Sequence, residues 1–134
     1  MKYLCVANKK MNILYASKHY PGKMHDKTIF EEESKENKIP ENLKKVFDLA
    51  FFGIDTHCKN VIMPKKKPKG RELTKFQKEK NKKISRIRVK IENAFAGVKR
   101  LRVVCYPSRA KRDIFVNLIF MLACGIWNFY LWAR

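Results

Sequence analysis

Residues 74–101 read TKFQKEKNKKISRIRVKIENAFAGVKRL, and this stretch decides the fold. Thr74 and Gln77 form a capping-box pattern at its start. Apolar residues then recur at intervals of three or four, at Ile84, Ile87, Ile91, Phe95 and Val98. Such spacing is typical of an amphipathic helix, so one long helix is predicted over 74–101.

Glu92 lies on the flank of the apolar stripe of this helix, on the same side as Arg88 and Lys99. At about 100° per residue this position is neither deeply buried nor fully outside, so Glu92 can face a cleft. A simpler interpretation is that Glu92 pairs with Arg88 four residues earlier, a contact worth a few tenths of a kcal/mol.

The first third of the chain predicts a hairpin followed by a helical turn. Two strand-like runs, at 3–7 and 11–16, flank the short loop Asn8-Lys9-Lys10. Residues 25–33 can form a helical turn with Asp26 near its start, where a carboxylate interacts favourably with the unpaired backbone N–H groups.

Two short strands are predicted between that turn and the long helix. Val46-Phe47 forms the first, with Asp48 at its end, and residues 61–63 form the second. Residues 65–73 then form a basic loop, because Pro68 and Gly70 interrupt any regular structure. A carboxylate at the end of a strand is a typical place for chemistry.

The C-terminal residues 114–133 are apolar except for Asn117, Gly125 and Asn128. This length can cross a bilayer, and Arg109, Lys111 and Arg112 would suit a cytoplasmic flank. Two asparagines would cost free energy in lipid, however. We therefore predict a buried helix over 111–132 and expect no membrane partner, with a membrane-anchored basic protein as the alternative.

Composition restricts the class of partner. The 134 residues carry a net charge of +19 and fit one domain, 1–134. Residues 65–102 hold 16 lysines and arginines against three acids, so a polyanion such as DNA, RNA or an acidic membrane should bind there.

The four cysteines form no C-x-x-C pair, which predicts reduced thiols. No signal peptide opens the chain, so secretion is not expected.

Four segments together resemble the DDE transposases of bacterial insertion sequences and their Harbinger-like relatives. They are PGKMHD at 21–26, FDLAFFG at 47–53, MPKKKPKG at 63–70 and RIRVKIENA at 86–94. The pattern continues in GVKRLR at 97–102 and in Asn128-Phe129. Each segment is a weak signal, but their order and spacing make the resemblance specific over nearly the whole chain.

The resemblance implies an α/β fold of the ribonuclease H-like type, with a central mixed sheet, flanking helices and three metal-binding acids. Asp48 looks like the second aspartate of the family, which lies in an Asp-x-Gly-Phe/Tyr-x-Gly turn directly after a strand. Glu92 looks like the terminal glutamate, which follows an arginine by four residues, here Arg88. The first aspartate would belong to a strand before the hairpin, so the catalytic domain is expected to be truncated at its N-terminus.

The implied chemistry is metal-dependent cutting and joining of DNA. Two Mg²⁺ or Mn²⁺ ions would stabilise the attacking and leaving oxygens of an in-line phosphoryl displacement. Asp48 and Glu92 supply two of the three carboxylates, so the chain is expected to be inactive alone. It would need the upstream part of the same transposase, or a homo-oligomer. The alternative is a non-enzymatic basic DNA-binding remnant, which keeps the charge and no chemistry.

DNA binding is expected from the basic loop and the long helix, since lysines and arginines neutralise phosphates without reading sequence. The residues are Lys65, Lys66, Lys67, Lys69, Arg71, Lys83, Arg86, Arg88, Lys90, Lys99, Arg100 and Arg102. The basic loop also resembles a nuclear-import signal. The protein is expected in the cytoplasm at the nucleoid of a bacterium, or in the nucleus of a eukaryote.

Several other residues receive structural interpretations. His25, Asp26 and Gly53 are expected to be structural or to support the site. Asp55 competes with Asp48 by proximity but lacks the family spacing, and His57-Cys58 has no second ligand pair.

The sequence departs from the family at two positions. Ala50 replaces a usual glycine and would strain the turn if its φ were positive, and Trp127 stands where histidine is common.

Overall fold

The computed structural model describes residues 1–36, 39–40, 42–54, 58–105 and 113–134. Its elements are β1 (Cys5–Ala7), β2 (Ile13–Ala16), α1 (Asp26–Lys35), β3 (Lys45–Val46), β4 (Val61–Ile62), α2 (Lys75–Lys99) and α3 (Asp113–Trp132), with 3-10 turns at Leu49–Phe51 and Arg102–Val104. The chain divides into unit 1, Met1–Met24 with Lys90–Arg134, and unit 2, His25–Val89. Among the residues considered above, Asp55, His57, Arg109, Lys111 and Arg112 lie outside the described ranges.

Unit 1 begins with the predicted hairpin. Strands β1 and β2 pair antiparallel, with Val6 opposite Tyr15. The Asn8 side chain closes the loop, because its Oδ1 accepts the backbone N–H groups of Lys10 at 2.9 Å and Asn12 at 3.0 Å. An asparagine side chain that accepts backbone N–H groups a few residues further along the chain stabilises a tight turn. The hairpin prediction is therefore confirmed, with strands slightly shorter than expected.

Helix α3 and the end of α2 pack against this hairpin. The core of unit 1 consists of Ile13, Ala94, Val98, Ala123, Cys124 and Trp127. Polar side chains of α3 also bond the hairpin backbone. Asn128 accepts from the Ile13 N–H at 2.8 Å and donates to the Ile13 carbonyl at 2.8 Å. The indole N–H of Trp127 donates to the Met11 carbonyl at 2.9 Å, and Asn117 accepts from the His19 N–H at 2.8 Å.

The predicted C-terminal helix is present, but it is buried on one side only. By length and composition α3 can cross a membrane, with a mean hydropathy of 1.9 and 28% of the apolar window buried. Its asparagines, which would be costly in lipid, find partners in unit 1 instead. The expectation of a buried helix is correct for one face only, because that face packs on the hairpin and α2 while the opposite face is exposed. The exposed apolar residues include Ile114, Leu118, Leu122, Phe129 and Trp132.

Unit 2 contains the second sheet. Strands β3 and β4 pair in parallel, with Val46 opposite Ile62, and the Phe47 N–H extends the ladder by donating to the Ile62 carbonyl at 3.0 Å. Helix α1 covers them through the buried Phe30, whose ring centroid lies 4.8 Å from that of Phe47 in an edge-to-face contact. The ring of Phe51 lies 5.1 Å from Phe47 and completes an aromatic cluster.

The start of α2 confirms the capping box. The Gln77 N–H donates to Thr74 Oγ1 at 3.3 Å, and the Thr74 N–H donates to Gln77 Oε1 at 3.2 Å. The long helix expected over 74–101 is present as Lys75–Lys99. The described strands form two two-stranded sheets, so the architecture is a mixture of helices and small sheets.

Candidate functional site

The carboxyl edge of the β3–β4 pair collects the residues that can carry chemistry in unit 2. Both strands run in the same direction and in register, so the chain leaves them at one edge. Asp48 lies two residues beyond the paired Val46, and Pro64 lies two residues beyond the paired Ile62. The basic loop that begins at Lys65 therefore leaves the sheet at the edge where Asp48 lies. Ligands of α/β sheets commonly bind at such an edge.

Asp48 is held by two interactions. Its backbone is extended, and its Oδ1 accepts the Leu49 N–H, so it caps the 3-10 turn Leu49–Phe51. Its Oδ2 accepts from Nη2 of Arg88 at 2.8 Å. The carboxylate side chain remains 43% exposed, so solvent and ligands can still reach it. Both oxygens already have partners, and one of those partners is a cation.

Helix α2 also fixes the basic loop. The Asn81 side chain accepts the Lys65 N–H at 2.8 Å and donates to the Lys65 carbonyl at 3.0 Å. Asn81 and Arg88 are seven residues apart, almost two helical turns, and so lie on one face of α2 about 10 Å apart along its axis. One helix face thus holds both Asp48 and the first residue of the basic loop. The sequence contains no local signal for this pair of anchors, since each joins residues at least 16 positions apart.

The basic residues expected to bind DNA are almost all on the surface. In unit 2, Arg88 is partly buried at Asp48, while the others, Lys65, Lys66, Lys67, Lys69, Arg71, Lys83 and Arg86, are exposed. In unit 1, Lys90, Lys99, Arg100 and Arg102 are exposed. Exposed cations retain their hydration and can exchange it for phosphate contacts.

Glu92 is exposed on α2, rather than half-buried as its place on the helical stripe suggested. It belongs to unit 1, and Asp48 belongs to unit 2. The described residues contain no group of three or more His, Cys, Asp or Glu side chains that could hold a metal ion. The carboxylate oxygens of Asp48 and Glu92 are the donor type that Mg²⁺ and Mn²⁺ take, but a cation at Asp48 would have to compete with Arg88.

The residues expected to be structural, His25, Asp26 and Gly53, all lie in unit 2. His25 is the N-cap residue of α1 without a side-chain capping bond, and Asp26 lies in the first turn, where the helix dipole favours an acid. Gly53 has φ 84°, a conformation that glycine adopts without strain. Ala50 is not strained: the described non-glycine residues with positive φ are Met11 and Asn60, and Ala50 lies within the 3-10 turn. The concern about alanine at this position is therefore wrong.

The remaining departures have local roles. Trp127 belongs to the core of unit 1, and its indole N–H donates to the Met11 carbonyl, so the tryptophan has a structural role at this position. The Cys58 thiol accepts a hydrogen bond from Nζ of Lys45 at 3.8 Å, and it belongs to no group of three or more ligand side chains in the described part of the chain.

Comparison with known proteins agrees with the sequence motifs. The chain matches the family described as DDE superfamily endonuclease over residues 1–128. It is 30% identical over 131 residues to the probable transposase for insertion sequence element IS702 of Microchaete diplosiphon. That match covers 98% of this chain and 46% of the relative, so the chain spans about half the length of that transposase. No solved structure matches the chain. The chain belongs to the DDE superfamily of endonucleases.

Proposed function

We propose that this chain is the DNA-binding part of a transposase catalytic domain, and that it cleaves and joins DNA with divalent metal when further residues complete the site. The observation that carries the proposal is the arrangement in unit 2. A carboxylate at the carboxyl edge of two parallel strands, Asp48, adjoins a basic loop, and one helix face fixes both. The net charge of +19 is in keeping with a polyanionic substrate such as DNA.

The basic loop and α2 would hold the DNA backbone. Lys65, Lys66 and Lys67 are exposed next to the edge, and their backbone starts from the point that Asn81 fixes. Phosphate contacts of this kind position a duplex and give affinity without sequence preference. Sequence recognition of an element end would come from residues outside this set.

Asp48 and Glu92 would be two of the metal ligands, in keeping with the divalent metals that this superfamily generally uses. The bound metal would polarise the phosphoryl group and lower the pKa of the attacking water. Asp48 would hold the metal with its carboxylate in place of Arg88, whose guanidinium would then be available to a phosphate oxygen. A third carboxylate would come from the upstream part of the transposase or from another copy. We place both units in a ribonuclease H-like domain.

A non-enzymatic DNA-binding protein is the second candidate. It is favoured by one observation, the ion pair in which Arg88 holds the Asp48 carboxylate. Under this alternative, the chain would bind DNA as strongly as the proposed enzyme does and would cleave none.

A strand-cleavage assay separates the two candidates. The chain is tested alone and as a fusion to the portion of the IS702 transposase that lies outside the match. Supercoiled plasmid is incubated with Mg²⁺, Mn²⁺ or EDTA. Nicking by the fusion that requires metal supports the enzyme. Tight plasmid binding with no nicking by the fusion supports the non-enzymatic protein, and no binding to DNA contradicts both.

A further inference from the structure

Phe52 is an aromatic ring placed in solvent beside the candidate site. It ends the 3-10 turn that Asp48 caps, and its N–H donates to the Leu49 carbonyl at 3.1 Å. The backbone at Phe52 is therefore fixed, yet the residue is 68% exposed. Its neighbour Phe51 packs into the aromatic cluster of unit 2, so the turn presents one phenylalanine to the core and one to the solvent. A single exposed phenylalanine is common on protein surfaces, so exposure alone assigns no role.

A second observation concerns the cation next to this ring. Nζ of Lys66 lies 5.8 Å from the centroid of Phe52. The position of Lys66 is not left to a mobile loop, because the preceding residue, Lys65, has both its N–H and its carbonyl bonded to Asn81. The lysine that follows an anchored residue thus meets a ring on an anchored turn, at the edge where Asp48 lies. The ammonium approaches one face of the ring, and the exposure of Phe52 leaves aromatic surface for another group.

A planar aromatic ring beside a lysine matches the chemistry of single-stranded nucleic acid. Every nucleobase has a π-face that can stack on a phenylalanine, and each base is attached to a phosphate that a lysine can neutralise. A base inside a duplex already stacks on its neighbours, so a protein ring gains most from an unpaired base. Cutting a DNA strand creates a chain end next to the reacting phosphate, and base pairs at an end open more easily than base pairs inside a duplex.

We propose that Phe52 stacks on an unpaired nucleobase of the bound DNA while Lys66 contacts the phosphate beside that base. This inference rests on the proposed DNA-binding function and adds a preference for single-stranded ends near Asp48. Because stacking accepts any base, the preference would not depend on sequence.

Phe76 provides a matched control within the same unit. It is 76% exposed, lies in the first turn of α2, and has no cation over its ring among the described residues. Removing either ring deletes a similar exposed apolar surface, so a general effect of surface change would appear in both variants. An effect of stacking would appear at Phe52 alone.

The test measures binding of the whole chain to two DNA probes. One is a blunt duplex, and the other carries a single-stranded overhang that contains the fluorescent base 2-aminopurine. For the wild type we expect quenching of the 2-aminopurine and tighter binding to the overhang than to the blunt duplex. Phe52→Ala should lose the quenching and about tenfold in overhang affinity while keeping its duplex affinity. Phe52→Trp should restore both, and Phe76→Ala should behave as the wild type.

Equal quenching by the wild type and Phe52→Ala, or an equal loss in Phe76→Ala, would overturn the stacking proposal while duplex binding left the proposed function intact. A wild-type chain that binds neither probe would overturn both. Circular dichroism of each variant confirms that the exposed substitutions leave the fold unchanged.

Discussion

The guanidinium of Arg88 lies 2.8 Å from the carboxylate of Asp48 and thereby joins α2 to the end of β3. The two side chains are 32% and 43% exposed, so water screens the pair and its contribution to stability is small, about 1 kcal/mol or less. Its consequence for chemistry is larger. The arginine orients the carboxylate, and its positive charge lies where the proposed metal ion would bind.

Arg88→Gln should therefore increase the affinity of the chain for Mn²⁺. Removal of a competing cation worth about 1 kcal/mol corresponds to a gain of up to about fivefold. Paramagnetic broadening of the Leu49 amide resonance, whose N–H bonds Asp48, measures the apparent Kd. Arg88→Lys retains the charge and serves as the control, with no gain expected. Weaker Mn²⁺ binding by Arg88→Gln would show that Arg88 supports the metal ligand instead of competing for it.

The basic loop should dominate the salt dependence of DNA binding. Each phosphate contact changes the slope of log K against log salt by about 0.9, so replacing Lys65, Lys66 and Lys67 with alanine should reduce its magnitude by up to about 2.7. Fluorescence anisotropy with a duplex at several salt concentrations gives the slope. Lys9→Ala with Lys10→Ala, in the exposed hairpin loop of unit 1, provides the control. An unchanged slope in the loop variant would remove this loop from the DNA contact.

Two glycines of unit 1 should respond in opposite ways to alanine. A Cβ on Gly97 would overlap the ring of Trp127, whereas a Cβ on Gly125 would meet nothing within 4 Å. Overpacking costs about 1–3 kcal/mol, so Gly97→Ala should lower the free energy of unfolding by that amount. Gly125→Ala should raise it by about 0.5–1 kcal/mol through helix propensity. Urea denaturation measures both, and equal effects of the two substitutions would contradict the packing of α2 against α3.

Much of this fold can be predicted from local sequence. The capping box of Thr74 and Gln77, the hairpin around Asn8 and the strand before Asp48 each depend on residues within a few positions of one another. The contacts of Arg88 with Asp48 and of Asn81 with Lys65 cannot be predicted in this way, because polar side chains on a helix have many partners of suitable charge. For the same reason the sequence suggested only that Arg88 pairs with Glu92, and it gave no partner for the asparagines of α3.

The thiol of Cys5 should resist alkylation in the folded chain. A hydrogen bond with Cys124 and burial raise the pKa of Cys5 above its ordinary value of 9.0. The thiolate is the nucleophile, so iodoacetamide should label Cys5 slowly at pH 8 and at pH 9.5.

Mass spectrometry after timed labelling locates the modified cysteine. In urea, Cys5 should be labelled faster as the pH rises from 8 to 9.5. Labelling of the exposed Cys105 in the folded chain serves as the control that the reagent is active. Cys5 labelling at equal rates in the folded and unfolded chains would contradict the raised pKa.

The most direct test of metal-dependent cleavage compares two glutamates of α2 in the fusion with the remaining IS702 segment. Glu92→Gln and Glu79→Gln remove the same charge from exposed positions on the same helix. Plasmid nicking with Mg²⁺ or Mn²⁺ is measured for the wild type and both variants, with DNA affinity measured in parallel. We expect Glu92→Gln to lose nicking by at least about a hundredfold and Glu79→Gln to keep it, because Glu92 is the one of these two glutamates that would hold metal. Undiminished nicking by Glu92→Gln would contradict the role of Glu92 as a metal ligand.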